Sequence, residues 1–171
     1  DKVFAQSDVI VLALGESHLV SGERHSLADI ALTEHQVSLA RRANRTGKPV
    51  IGVVFCGRPL ALQAVEPYLD AILCAWHCGS ETAAVAADIL LGNIVPNGKT
   101  AVTFVKATGH IPLYYNATSS ALANNGYYNQ RPEDCYLDIP AKPMYPFGYG
   151  LSYTHFEYSP ISCENTDMTL D

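Results

Sequence analysis

A three-layer α/β/α sandwich around a mostly parallel sheet is the fold class this sequence predicts, and three observations carry that expectation. Short apolar runs recur at residues 9–14, 50–55 and 71–75. Stretches with apolar residues at helical spacing follow them, at residues 33–43 and 83–91. The connections include compact Gly and Pro turns, as at Gly47-Lys48-Pro49 and Cys56-Gly57-Arg58-Pro59. Strands alternating with helices in this way favour parallel pairing with helices on both faces. The chain has 171 residues, 48% of them hydrophobic, which suits the core of a single domain.

The first run, Val9-Ile10-Val11-Leu12-Ala13-Leu14, is uninterrupted and bounded by Asp8 and Gly15, the pattern of a strand covered on both faces and central in its sheet. A long polar loop follows over residues 15–30. Thr33 with Gln36 resembles a capping box, and Val37, Leu39, Ala40 and Ala43 give the next helix one apolar side before Gly47-Lys48-Pro49 ends it. Residues 50–55 form a second buried strand. Pro59 is expected to open a helix through Val65, because its missing N–H costs nothing in a first turn. Residues 71–75 form a third strand, Ser80 caps a helix that Gly92 closes, and residues 100–104 form a fourth strand. Residues 105–160 hold most of the tyrosines and no sustained helical period, so an irregular wrap with one or two edge strands is expected. The domain is expected to occupy residues 1–160, with 161–171 a linker or the start of another domain.

Charge and composition exclude several function classes. The net charge is −6, and the few Lys and Arg form no stripe able to neutralise a phosphate backbone, so nucleic acid is not an expected partner. No segment reaches the roughly 20 apolar residues that span a bilayer, and no membrane partner is expected. The chain opens on Asp1-Lys2 rather than a signal peptide, and a start without Met leads to the expectation of a preceding segment. Cys56, Cys74, Cys78, Cys135 and Cys163 are odd in number and do not describe a disulfide scaffold. Cys74, His77 and Cys78 lack a second pair to complete a tetrahedral site, so neither metal nor cofactor is expected. Asn44-Arg45-Thr46 and Asn116-Ala117-Thr118 fit the glycosylation acceptor pattern.

In a parallel sheet the active surface collects at the carboxyl ends of the strands. Three polar turns fall there: residues 15–30, 56–59 and 76–81. The first holds Gly15-Glu16-Ser17-His18, which is no dinucleotide fingerprint, and neither Ser17 nor Ser21 sits in a nucleophile elbow. Glu23, preceded by Gly22 and followed by Arg24 and His25, is the better polar candidate. On composition alone it reads as a solvated surface carboxylate, the common case for Glu.

The ordered run of motifs resembles the second domain of glycoside hydrolase family 3, the β-glucosidase and β-xylosidase group. The resemblance rests on residues 9–16 with Ser21-Gly22-Glu23 and Ala28-Asp29, then Thr46-Gly47-Lys48-Pro49-Val50 and Gly57-Arg58-Pro59-Leu60-Ala61-Leu62. It continues through Asp70-Ala71-Ile72-Leu73, Trp76, Gly79-Ser80-Glu81, Ala87-Asp88-Ile89-Leu90, Gly92, Asn97-Gly98-Lys99, Val102-Thr103-Phe104 and Ile111-Pro112-Leu113-Tyr114-Tyr115-Asn116. Its most specific piece is Tyr145-Pro146-Phe147-Gly148-Tyr149-Gly150-Leu151-Ser152-Tyr153-Thr154-His155-Phe156. Leu27, His77-Cys78, Thr82-Ala83, Asn93 and Thr100-Ala101 depart from the usual pattern and bear on sugar preference more than on fold.

The resemblance implies a flavodoxin-like sheet and maps the family's general acid/base onto Glu23. It further implies a retaining, exo-acting β-glycosidase, β-glucosidase ahead of xylosidase, acting on terminal non-reducing β-D-glycosides or oligosaccharides. The nucleophilic Asp is expected on an upstream barrel-like domain and a fibronectin-like domain is expected downstream, so the chain alone is expected to be inactive. In retaining enzymes the two carboxyl groups stand roughly 5 to 5.5 Å apart, and one domain offers only one of them. His18, Arg24, His25, Arg58, Trp76 and His77 lie in the same strand-exit turns and are candidates for binding substrate or meeting the neighbouring domain. The parent protein is expected in the periplasm or secreted. A different reading, a noncatalytic carbohydrate-binding or protein-interaction module, shares the same scaffold, because fold does not decide function.

Overall fold

A computed structural model describes residues 2–116, 136, 138–140 and 142–162. Cys135, Cys163, two residues of the second glycosylation acceptor and most of the expected linker lie outside them. The described elements run α1 (Lys2–Gln6), β1 (Ile10–Gly15), α2 (Glu34–Asn44), β2 (Val50–Phe55), β3 (Ala71–Cys74) and α3 (Thr82–Leu90), with single 3-10 turns at Glu66–Tyr68 and Thr108–His110. The three strands form a parallel sheet in the order β1-β2-β3, with Ile10 opposite Val50 and Ile51 opposite Ala71.

Side chains alternate across this sheet, and each face receives its own helix. Ile10, Leu12, Leu14, Val50 and Val54 turn to one side, where α2 buries Val37, Ala40 and Ala43 against them. Val53 and Ala75 turn to the other side, where α3 brings Ala86 and Leu90. The architecture is therefore an α/β sandwich with a parallel sheet between helices. The larger core continues beyond the sheet through Leu60, Leu62, Val65, Phe104 and Val105. At the end of the sheet opposite the site, the Lys48 ammonium caps α1 by donating to the carbonyls of Phe4, Ala5 and Ser7. A cation there satisfies carbonyls that have no helical partner and faces the negative end of the dipole.

Several local expectations are corrected. β1 is an edge strand among the described strands rather than a central one, and its outer residues are open: Val11 is 50% exposed while Leu12 is 5%. An apolar run cannot by itself distinguish burial on two faces from burial on one. Pro59 opens no helix, because Ala61 is held extended by a parallel bridge to Ala31, and the first helical turn waits until Glu66. Residues 100–104 form no strand. Thr100 and Phe104 bond to the backbone of Tyr149 and Tyr145, but Pro146 lacks a donor and Gly148 is left-handed at φ 79°, so only an isolated antiparallel bridge between Phe104 and Tyr145 remains. Ser80 does not cap α3, whose N-cap position is Glu81, and the Thr33 side chain makes no cap bond.

Candidate active site

The polar loop after β1 is pinned at both ends. At its start Gly15 has φ 122°, and a Cβ there would stand 1.9 Å from the Phe55 carbonyl oxygen, so glycine is required for β1 to leave the sheet beside β2. Glu16 then donates its N–H to the Phe55 carbonyl at 2.8 Å. At its far end Asp29 Oδ1 accepts from the Ala31 N–H at 3.1 Å and the Thr108 hydroxyl at 2.8 Å, while Thr108 Oγ1 accepts from the Ile30 N–H at 3.1 Å. The bond from the Ala31 backbone, then that from Thr108, hold the Asp29 carboxyl below its ordinary value.

Between these anchors the chain makes two turns. Ser17 to Val20 closes through Val20 N–H to Ser17 O at 3.1 Å, and His18 lies exposed within it. The second turn closes through His25 N–H to Gly22 O at 3.1 Å, with Glu23 and Arg24 as its central residues. Gly22 at φ 136° and Arg24 at φ 63° are both left-handed, and they set Glu23 at the exposed crest. Non-glycine residues hold such angles only where the surroundings fix them.

Arg58, from the turn after β2, supplies that fixation. Its Nη2 donates to the carbonyls of Val20 at 2.6 Å and His25 at 2.8 Å, and its Nε lies 3.0 and 3.3 Å from the two oxygens of Glu16. The Glu16 side chain is only 6% exposed, so the pair is well shielded from water. Gly57 lets the loop settle onto the β2 turn, since a Cβ there would meet Ser21 Oγ at 2.1 Å.

From the turn after β3, His77 Nε2 lies 3.3 Å from Ser21 Oγ. Ser21, Gly22, His25, Ser26, Gly57, Arg58 and His77 together line an open polar pocket of about 480 Å³. The structure thus brings His25, Arg58 and His77 to one pocket at the carboxyl ends of the strands, with Glu23 beside it on the loop crest. His18 and Arg24 do not line it. Trp76, at φ 50°, packs edge-on against Phe104 with ring centroids 5.6 Å apart and remains partly exposed. Sequence reasoning missed Glu16, Ser21 and Gly57 as members of the site. A carboxylate just after the first apolar run and an Arg three residues after the second was the signal that could have found the first.

Among the described residues no group of three His, Cys, Asp or Glu could hold a metal ion, and Cys78 instead donates its thiol to the Ala75 carbonyl at 2.8 Å. What the arrangement offers chemically is one exposed carboxyl on a braced loop, beside a concave polar surface.

Comparison with known proteins identifies the family of the domain. The family model described as the glycosyl hydrolase family 3 C-terminal domain matches residues 1–153. A periplasmic beta-glucosidase of Salmonella typhimurium is 37% identical over 166 residues, covering 97% of this chain and 22% of that protein. A beta-xylosidase of Formosa agariphila is 32% identical over 165 residues, covering 96% and 22%. The crystal structure of a beta-glucosidase from Listeria innocua superposes with a TM-score of 0.82 at 44% identity, covering 91% of this chain and 22% of that one. The chain therefore spans about a fifth of the length of these relatives. With a family match across most of its length and relatives at 32% to 44% identity, the chain belongs to glycosyl hydrolase family 3, as a C-terminal domain of that family.

Proposed function

We propose that this chain is the acid/base-supplying domain of a retaining, exo-acting β-glycosidase, most specifically a β-glucosidase, with Glu23 as the general acid/base. The observation that carries the reading is the placement of Glu23: an exposed carboxyl at the crest of a loop that leaves the sheet's carboxyl edge and is braced from behind. A carboxyl so presented can reach a sugar held by a neighbouring domain. The preceding barrel-like domain would bring the nucleophilic Asp and a following fibronectin-like domain would complete the parent. A relative whose name places it in the periplasm supports a parent outside the cytoplasm.

In the first step the nucleophile's carboxylate attacks the anomeric carbon, the glycosidic C–O bond breaks, and Glu23 gives its proton to the departing oxygen. In the second, water attacks the glycosyl-enzyme and Glu23, now a carboxylate, takes the proton from that water. Both carboxyl groups return to their starting states. Arg58 and Glu16 hold the turn that presents Glu23, and His25, Ser21 and His77 offer polar contacts around it.

The test is Glu23→Gln in the parent enzyme. Glycosides with basic leaving groups should lose about 10²- to 10⁴-fold in kcat/KM, while activated aryl glycosides are largely spared, because only a basic leaving oxygen needs the proton. Equal losses on both substrate types would assign Glu23 to binding or folding and overturn the proposal. The 171-residue chain alone should hydrolyse aryl β-glucosides no faster than buffer.

A further inference from the structure

We infer that Arg58 is a positioning residue for the acid/base: its guanidinium fixes the span of the Glu23 turn, and Glu16 in turn fixes the guanidinium. The inference rests on the role proposed for Glu23. A single nitrogen, Nη2, draws together the carbonyls of Val20 and His25, which flank the segment whose middle carries Glu23. The same side chain is held from its other edge by the Glu16 carboxylate through Nε. These three residues lie 38, 33 and 42 positions away in sequence, so the brace exists only in the fold.

The geometry suits arginine and no other side chain. A planar guanidinium offers donors along fixed, divergent directions, so two carbonyls and a carboxylate on different sides can be held at once. A lysine ammonium carries the same charge at one point on a flexible stem and cannot hold all three in one plane. With Nη2 and Nε both engaged inside the protein, the main use of this residue is internal. Without the brace, the left-handed Arg24 turn would relax, and Glu23 would sample positions away from the leaving oxygen. A displacement of about 1 Å in a reacting group can cost about 10²-fold in rate.

The experiment uses the parent enzyme carrying Arg58→Lys, Arg58→Met or Glu16→Gln, with kcat and KM measured across aryl and alkyl glycosides of graded leaving-group basicity. Both Arg58 variants should lose about 10- to 100-fold in kcat/KM, which reports the acid-assisted first step, on the least activated substrates. On activated substrates kcat/KM should be spared, while kcat and KM fall together because the displaced carboxylate also serves as base in the second step. Glu16→Gln should lose less, in the same pattern. In the 171-residue chain, tryptic cleavage after Arg24 should be faster in Arg58→Lys than in the unaltered protein. A merely structural role would lower all substrates alike. Wild-type leaving-group dependence in Arg58→Lys, a uniform loss, or unchanged cleavage after Arg24 would each overturn the inference. A clear acid signature in Glu23→Gln would then leave the proposed function standing, whereas its absence would overturn both.

Discussion

The side-chain amide of Gln36 closes both backbone hydrogen bonds of Gly15, its Oε1 accepting from the Gly15 N–H at 2.7 Å and its Nε2 donating to the Gly15 carbonyl at 3.0 Å. Because the Glu16 N–H points to Phe55 in β2, the groups of the preceding residue point the other way, to the open edge of the sheet. Gln36 thus does at that edge what a neighbouring strand would do, and it does so where β1 gives way to the acid loop.

Gln36→Leu should therefore destabilise the chain by about 1–3 kcal/mol, the usual cost of leaving a sheltered donor and acceptor unmade. Urea unfolding measures the loss, and hydrogen exchange at the Gly15 amide should accelerate more than at the β2 amides. An unchanged midpoint would mean that water replaces the amide without penalty.

Three glycines should separate by what a Cβ would meet. Gly15→Ala drives a Cβ into the Phe55 backbone at 1.9 Å with φ at 122°, and folding should fail or be severely impaired. Gly57→Ala meets Ser21 Oγ at 2.1 Å and the His77 ring at 3.0 Å, both side chains, so the protein should fold with the loop displaced. Gly47→Ala has open space but φ 71°, and should cost about 1–2 kcal/mol from the left-handed conformation alone. Thermal unfolding of the three variants should rank them in that order.

The sandwich was legible because period and punctuation agree: three apolar runs became three strands, and Gly47 and Gly92 end helices in left-handed geometry. What failed was local and had tertiary causes. The edge position of β1 depends on which strands pair, and Gln36, which resembles a capping partner for Thr33, turns its amide mainly to Gly15, 21 residues earlier, and meets Thr33 only through Nε2 to Oγ1 at 3.4 Å. Ala61 reads as helical after a proline, yet a bridge to Ala31 holds it extended. The site divides in the same way. Its place in a strand-exit loop made Glu23 a polar candidate, but only the family resemblance set it apart from a solvated surface carboxylate, since an exposed carboxylate has no periodicity, and the Arg58 brace joins residues that no local window contains.

The thiols should differ sharply in reactivity. Cys56 is fully buried with its sulfur 3.9 Å from that of Cys74; the contact with that thiol, burial, and the nearby Glu16 carboxylate all push its ionisation well above the ordinary thiol range. Cys78 is exposed. Iodoacetamide should modify Cys56 roughly tenfold or more slowly than Cys78, followed by peptide mass spectrometry. Equal rates in the folded protein would show that the strand ends open far more readily than their packing implies.

Acid sensitivity should be traceable to His110. The residue is 2% exposed, and its ring lies 4.7 Å from that of Tyr136 with no hydrogen-bond partner for either nitrogen among the described residues. Burial holds its pKa below the ordinary value of 6.5, Lys106 pushes the same way, and Asp138 opposes them. The native state therefore takes up this proton at lower pH than the unfolded chain does. Above about pH 6.5 both states are neutral at this site and its contribution to stability is complete. As pH falls below that value the unfolded chain binds the proton first, so stability declines, and the loss is finished once pH has passed through the lower native value. Asp29, also held low, starts from an ordinary value of 3.8 and titrates beneath this window. His110→Phe keeps a ring against Tyr136 and removes the titration. Between about pH 7.5 and 5.5 the urea midpoint of the unaltered chain should fall more than that of the variant, and the difference between the two slopes isolates His110 from the exposed histidines. Parallel slopes would show that His110 gains a proton as readily in the folded chain as in the unfolded one, which its burial beside Lys106 argues against.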